Sequence, residues 1–492
     1  MTRPLDTRFF GHPAGLSTLF FTEFWERFGY YGMRALLILF MVSPTDKGGL
    51  GLDVVAAGSI YGLYTASVYG LSLPGGWIAD RFLGQRKAVL LGGTLIAIGY
   101  LMLAAPDVRV FYSGLCVVAI GTGLLKPNIS TIVGQLYATG DPRRDSGFSI
   151  FYMGINLGAT IAPLICGYVG QRINWHLGFA LSGVGMTVGV LQYWLGAKNL
   201  GTAGLNPAPW ASAQEAASQR RLLRNVLLGL ALAAAVVAGL QLGGFIALTP
   251  EILNNSAGVV LLCVVVALFS FLLLGGDWTP VERKRLSAIL VLFIASALFW
   301  CAFEQAGSSL SLFAKFGTDS RVLGFSIPES WYQSINAGLI VCIAPILAWL
   351  WLKLGSRQPS SPVKFALGLV FAGLGFAILI PAAASTAAGG PRVTPLFLLG
   401  TYLCHTIGEL LLSPVGLSAI TKLAPERVAS FMMGVWFISL SVGNYLGGKI
   451  ASLYTTLPVP TLFGAVAAFT FVAALVLLLI SKPVTRLMGG VN

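Results

Sequence analysis

Charge is scarce in this sequence. Lys, Arg, Asp and Glu make up 10% of its 492 residues, whereas a soluble domain carries about a quarter. Together with repeated apolar runs of about 20 residues, the deficit excludes an ordinary soluble fold and points to a polytopic membrane protein. Period-two alternation is also missing. Barrel strands would alternate over about 10 residues, but these runs are apolar all round and longer, so they are read as helices that satisfy their own backbone. Histidine and cysteine are few. His12, His176 and His405 have no ligand spacing, and Cys116, Cys166, Cys263, Cys301, Cys342 and Cys404 lie singly in apolar segments. They read as packing residues, which argues against disulfides, a metal site or a membrane-embedded enzyme. No cleavable signal is evident, because the first apolar segment is too long and lacks a small-residue cleavage site. "GTGLLKPN" at 121–128 lacks the spacing of a phosphate loop.

Acid is scarcer than base, 18 residues against 31, giving a net charge of +13. The cations form no patch or stripe of the kind nucleic acid needs. They do follow topology. Apolar spans fall near 17–42, 54–79, 87–105, 108–137, 146–171, 174–196, 221–243, 257–275, 285–315, 330–353, 363–385, 393–421, 428–451 and 459–481. With the N-terminus inside, 21 Lys and Arg (among them Arg3 and Arg427) lie in inside segments and 6 in outside ones. That bias predicts cytoplasmic termini. The polar stretch 198–221 reads as a cytoplasmic linker, and the two spans after it as an insertion between two six-helix halves. The expected division is 1–197, 198–283 and 284–492. "DRFLGQRK" and "WLKLGSRQ" follow the second span of each half, aligning Leu83, Gly84 and Arg86 with Leu354, Gly355 and Arg357. Parallel repeats of this kind build some transporters.

A few ionisable residues lie at membrane depth: Glu23, Glu26, Arg27 and Arg34, then Lys126, Glu304 and Glu409. Setting the insertion aside, they occupy the first, fourth, seventh and tenth helices, the first helix of each three-helix unit. Such charges face a bundle interior or wet cavity and pair with one another, so one central polar cavity is expected. Glu23, Arg27, Tyr30, Tyr31 and Arg34 share one helix face. Mutual neutralisation could account for Glu23, Glu26 and Arg27 but not for Arg34, Lys126, Glu304 and Glu409. Pro127 is expected to kink the helix beside Lys126. "NNS" at Asn254 matches a glycosylation sequon on an expected outside loop. Gly185/Gly189 and Gly443/Gly447 have the spacing of close helix contacts.

"GGWIADRFLGQRK" at 75–87 resembles the loop motif of the major facilitator superfamily. "EFWERFGYYGMR" resembles the E-x-x-E-R-F signature of proton-dependent oligopeptide transporters, and "FYMGINLGA" at 151–159 their second signature. "FWCAFEQ" at 299–305, "GELLLSPVGLSAITKLAP" at 408–425 and "MMGVWF" at 432–437 are similar to the same family. The similarity spans roughly residues 15–450. The inserted helices are similar to those of bacterial members. The loop near 382–395 is too short for the outside domain of animal members.

The resemblance implies an all-α major facilitator fold with about fourteen transmembrane helices. It implies a proton-coupled symporter of di- and tripeptides in a bacterial inner membrane, in contact with lipid and with no cofactor beyond the coupling proton. A monomer is expected, without nucleic acid. Alternatives are a relative carrying nitrate, an amino-acid conjugate or a drug, or a peptide sensor without turnover. A di- or tripeptide is a zwitterion. Arg34 suits its carboxylate through a planar fork, Lys126 can assist, and Glu409 suits its ammonium. Asn156 and Asn336 offer donors and acceptors for amides. Tyr31, Tyr69, Trp300 and Trp436 offer walls, and Ser413 completes the expected peptide set. Glu304 is the first candidate for proton coupling, and Glu23 and Glu26, balanced by Arg27 and Lys126, the second. Asp80 and Arg81 are implied to cap neighbouring helices and latch the cytoplasmic side.

Overall fold

The computed structural model describes residues 7–489 except 139–140, 142, 208, 211, 245–246, 248, 276, 323 and 426–428. Arg3, Arg427 and the first residue of the span expected from 428 lie outside the described residues.

Fourteen long helices organise the chain. They are α1 (Ala14–Val42), α2 (Val54–Leu83), α3 (Gln85–Leu103), α4 (Val108–Gln135), α5 (Arg144–Arg172), α6 (Trp175–Gly196), α7 (Ala213–Leu242), α8 (Pro250–Leu274), α9 (Pro280–Phe316), α10 (Tyr332–Leu354), α11 (Ser361–Ala387), α12 (Leu396–Leu423), α13 (Ala429–Ser452) and α14 (Val459–Leu479). A short α15 (Ser481–Leu487) follows. Twelve are long and apolar enough to cross a membrane by composition alone. The exceptions, α1 and α13, carry buried ions or several buried polar groups such as Ser439, Ser441 and Asn444. A buried polar group is costly unless it is hydrogen-bonded; Ser439 pairs with Ser296, Ser441 donates to Ala66 O and the Asn444 amide donates to Leu440 O.

Helix starts follow local chemistry. Asp53 accepts from Ala56 N at 2.8 Å and Asp107 from Arg109 N at 2.7 Å. Thr279 and Glu282 form a reciprocal capping box beside Pro280. Ser212 caps α7 through Glu215 N, so α7 begins at Ala213 rather than near 221. The same rule corrects the expected outside loop at Asn254: Thr249 caps α8, and Asn254 lies inside that helix, fully buried. A side chain so placed cannot be a glycosylation acceptor. α4 runs through Pro127 as an α-helix. The repeat is visible in the backbone, since Gly84 and Gly355 both take positive φ, 78° and 50°, where other residues are strained.

Packing gathers α1–α6 into one bundle and α9–α14 into another. Two seams join them. In the first, α2 lies against α13: a Cβ on Gly62 would come 2.7 Å from Gly448 Cα, so the two backbones touch. Ser441 Oγ donates to Ala66 O across this seam at 2.7 Å. The expected pair Gly443 and Gly447 instead faces α9, at Trp300 and Cys301, while Gly185 and Gly189 receive Phe28 and Trp25 of α1. In the second seam α5 meets α10. Ser330 Oγ donates to Gln171 Oε1 at 2.6 Å, Trp331 Nε1 to Leu164 O at 3.0 Å and Arg172 Nη2 to Ser326 O at 2.6 Å. These bonds lie at the end of the molecule opposite the chain termini, here called the far face.

The inserted helices stand apart. No described residue of α7 is buried, and α8 touches α2, α9 and α13 lightly, with Phe269 edge-on to Phe293 and Lys449 bonded to Asn255.

Candidate functional site

The charged face of α1 meets the seam between the bundles. Arg27 Nε donates to Glu23 Oε1 at 2.8 Å and lies 2.9 Å from Glu26 Oε2. All three side chains are buried, Glu26 completely. The Glu23 bond is the i, i+4 contact expected from spacing. Two turns on, Arg34 reaches the other bundle. Its Nη2 is 2.6 Å from Glu304 Oε2, and its Nε donates to Tyr61 Oη of α2 at 2.8 Å. Arg34 and Glu304 are both 4% exposed, so each is the other's condition for burial. Removing one partner of such a pair costs about 3–5 kcal/mol.

Glu304 sits where α9 breaks. The expected continuous span near 285–315 is interrupted by a 3₁₀ turn, Glu304–Gly307, which directs the carboxylate toward α1. Gly307 faces the same point: a Cβ there would lie 2.8 Å from Arg34 Nε and against Tyr61 Oη. Neither Tyr61 nor Gly307 was expected at the site. Their sequence context is an ordinary apolar helix, and only the neighbouring "FEQ" run hinted at position 307.

Lys126 Nζ lies 3.7 Å from the Tyr69 ring centroid, a cation–π contact. Tyr31 faces Arg34 at 5.7 Å and Tyr30 faces Arg27 at 5.8 Å. On the second bundle, Asn336 Nδ2 donates to Glu409 Oε2 and Thr406 Oγ1, both at 3.0 Å. Glu409 is half-buried, so it is more accessible than Glu304. Ser413 follows it by one turn and is also half-buried. Asn156 spends an amide hydrogen on Tyr152 O at 3.0 Å. Trp300 is buried with Phe299 and Phe303, its Nε1 without a hydrogen-bond partner. Trp436 is 2% exposed, against Gly416 and Phe365. Thus Arg34, Glu304, Tyr31 and Tyr69 come together with Lys126. Asn336 and Glu409 form a second group, and Trp436 sits in the packing of its own bundle.

Asp80 and Arg81 lie elsewhere. Asp80 accepts from Gln85 at 3.1 Å. Arg81 reaches the inserted segment, pairing with Glu215 at 3.0 Å and facing the Trp210 ring at 5.7 Å. Arg86 donates to Ala203 O and Gly201 O, both at 2.6 Å. The linker therefore straps the loop after α2, enclosing a cavity of about 290 Å³ beside Asp80, Gln85 and Gln135. Ser212-x-x-Glu215 is a readable capping signal, but nothing local marks Glu215 as the partner of Arg81. Before α5, hydrogen bonds from Arg143 hold the half-buried Asp141 carboxyl below its ordinary range. Among the described residues, no three His, Cys, Asp or Glu side chains gather as a metal site.

The chain as a whole matches known proteins. The model of the POT family matches residues 86–472. An uncharacterized transporter, YclF, of Bacillus subtilis (strain 168) is 42% identical over 98% of this chain and 96% of its own. The peptide transporter YePEPT of Yersinia enterocolitica is 40% identical over 99% of this chain and 97% of its own. A crystal structure of a peptide transporter POT in complex with sulfate superposes with a TM-score of 0.92. It is 42% identical and covers 98% of each chain.

Proposed function

This chain belongs to the POT family, and we propose that it is a proton-coupled symporter that imports di- and tripeptides by alternating access. The observation that carries this reading is the pairing of Arg34 with Glu304 across the two bundles, 2.6 Å apart and buried. A guanidinium held by a carboxylate is a site a peptide carboxylate can take over once the carboxylate is protonated. Glu409 lies on the facing bundle and suits the peptide ammonium, so a bound peptide bridges the bundles and favours closure. Lys126 adds positive charge near the carboxylate. Asn156 and Asn336 serve peptide amides, with Ser413 beside them, and Tyr31, Tyr69, Trp300 and Trp436 give walls for varied side chains.

A carboxylate in a low-dielectric cavity changes protonation as its neighbours and its hydration change. Glu304 is the first coupling group in this reading, and Glu23 and Glu26 with Arg27 and Lys126 the second. Protonation of Glu304 and binding of a peptide to the released Arg34 break the pair that holds one cavity state, which allows the bundles to rock. The two bundles, 1–197 and 284–492, rock as units around the insertion 198–283. Cytoplasmic termini in a bacterial inner membrane accord with the cation bias, and the monomer is the working unit. The test is uptake of a labelled dipeptide into proteoliposomes with and without an imposed proton gradient. Gradient-driven accumulation, competed by varied di- and tripeptides but not by free amino acids, is expected. Binding without accumulation would make the protein a sensor.

A further inference from the structure

We propose that Tyr61 is a positioning residue that keeps the Arg34–Glu304 pair breakable, by occupying the Arg34 Nε–H that lies beside the Nη2 facing Glu304 and so denying Glu304 the side-on fork. The inference rests on the function proposed above.

A guanidinium presents a two-pronged edge formed by Nε–H and one hydrogen of Nη2. A carboxylate that takes both prongs makes two parallel charge-assisted bonds, the strong form of the pair. Here the prongs are divided. Nε donates its only hydrogen to Tyr61 Oη at 2.8 Å, and Nη2 forms an ion pair with Glu304 Oε2 at 2.6 Å without hydrogen-bond alignment. The neutral phenol substitutes for the second carboxylate oxygen. It satisfies the arginine's buried donor while leaving Glu304 with a charge contact at Nη2.

The surroundings favour this division. Tyr61 is 2% exposed and its own Oη finds its partner in Arg34. Gly307 makes the room, since a side chain there would press on both Arg34 Nε and Tyr61 Oη. The other ionisable groups around Arg34 are Tyr30 and Tyr31 of its own helix, Tyr64 and Tyr69 of α2, and Tyr402 and Glu409 of α12. Lys126 of α4 acts on Glu304. Glu304 and Glu409 are the carboxylates of this set, and Tyr61→Phe removes neither.

Tyr61→Phe frees Nε and allows Glu304 the full fork. The pair tightens, and more acid is needed to release Arg34 to a peptide. The experiment measures binding of tritiated dialanine to the purified full-length protein across about pH 5–8. The comparison is wild type, Tyr61→Phe, Glu304→Gln and the double variant, each checked for a cooperative melting transition, with Tyr61→Phe set against wild type and the double variant against Glu304→Gln. The expected result is affinity about tenfold weaker than wild type at neutral pH for Tyr61→Phe, converging on wild type at the acid end. In the Glu304→Gln background the tyrosine substitution should have no effect, because no carboxylate competes for Nε. A general packing defect would weaken binding at every pH and in both backgrounds, and that result overturns the proposal. So does a Tyr61→Phe profile that overlays wild type. Wild-type protein that binds no dialanine at any pH would overturn the function reading and this inference with it.

Discussion

Arg27 and Arg34 stand two turns apart on one helix and solve burial in opposite ways. Arg27 takes both acids from its own helix, Glu23 at 2.8 Å and Glu26 at 2.9 Å. That triad moves as part of α1 whatever the bundles do. Arg34 takes its acid from α9, in the other bundle, at 2.6 Å, and steadies itself on Tyr61. A motion that separates α1 from α9 must break that pair or give each member a new partner. Identical chemistry thus gives a fixed charge cluster in one place and an exchangeable one in the other. The exchangeable one is where a substrate carboxylate can enter.

The contrast can be broken at several strengths. The largest effect is expected from Arg34→Ala, which leaves Glu304 buried without its cation at a cost of about 3–5 kcal/mol. Thermal unfolding of the purified protein should drop clearly, and adding Glu304→Gln should recover most of the loss. An unchanged melting curve would mean that the pair does not hold the bundles together. Next comes Glu304→Gln alone, which keeps shape and removes the titrating group. Gradient-driven dipeptide accumulation in proteoliposomes should vanish while counterflow exchange persists, and full accumulation would remove Glu304 from proton coupling. A smaller loss is expected from Glu23→Gln, because Glu26 remains beside Arg27. If accumulation fell as far as in Glu304→Gln, the distinction between fixed and exchangeable clusters would fail. The least effect belongs to Glu215→Ala. Its pair with Arg81 is about a third exposed, and such pairs contribute about 0–1 kcal/mol. A melting shift beyond that range would make the linker strap a structural tie.

Much of this was legible in the chain. The Glu23–Arg27 spacing implied a contact that the structure contains, and the threefold recurrence of charge-bearing helices marked those that bring Arg34, Lys126, Glu304 and Glu409 to the interior. Helix limits were less readable. α7 starts early because Ser212 caps it, and Asn254 is buried in α8 because Thr249 does the same one turn before. That Trp436 packs on Gly416 was not readable either, because an aromatic at helical spacing suits a cavity wall and a glycine contact equally well. Arg81 meets Glu215 and Trp210, partners not readable from the chain, since the flexible reach of an arginine does not specify a partner.

Composition and spacing alone determined that the chain is a helical membrane protein, which turns carry charge, and that Arg27 has acids beside it. Hydropathy and i, i+4 proximity are local properties, set by the residue and by helix geometry. Only the tertiary structure decided that Arg34 meets Glu304 rather than Glu409, that Tyr61 takes its Nε–H, and that a bare Cα at Gly307 leaves them room. Those contacts join residues far apart in the chain, and they depend on how closely whole helices approach, which no single segment encodes.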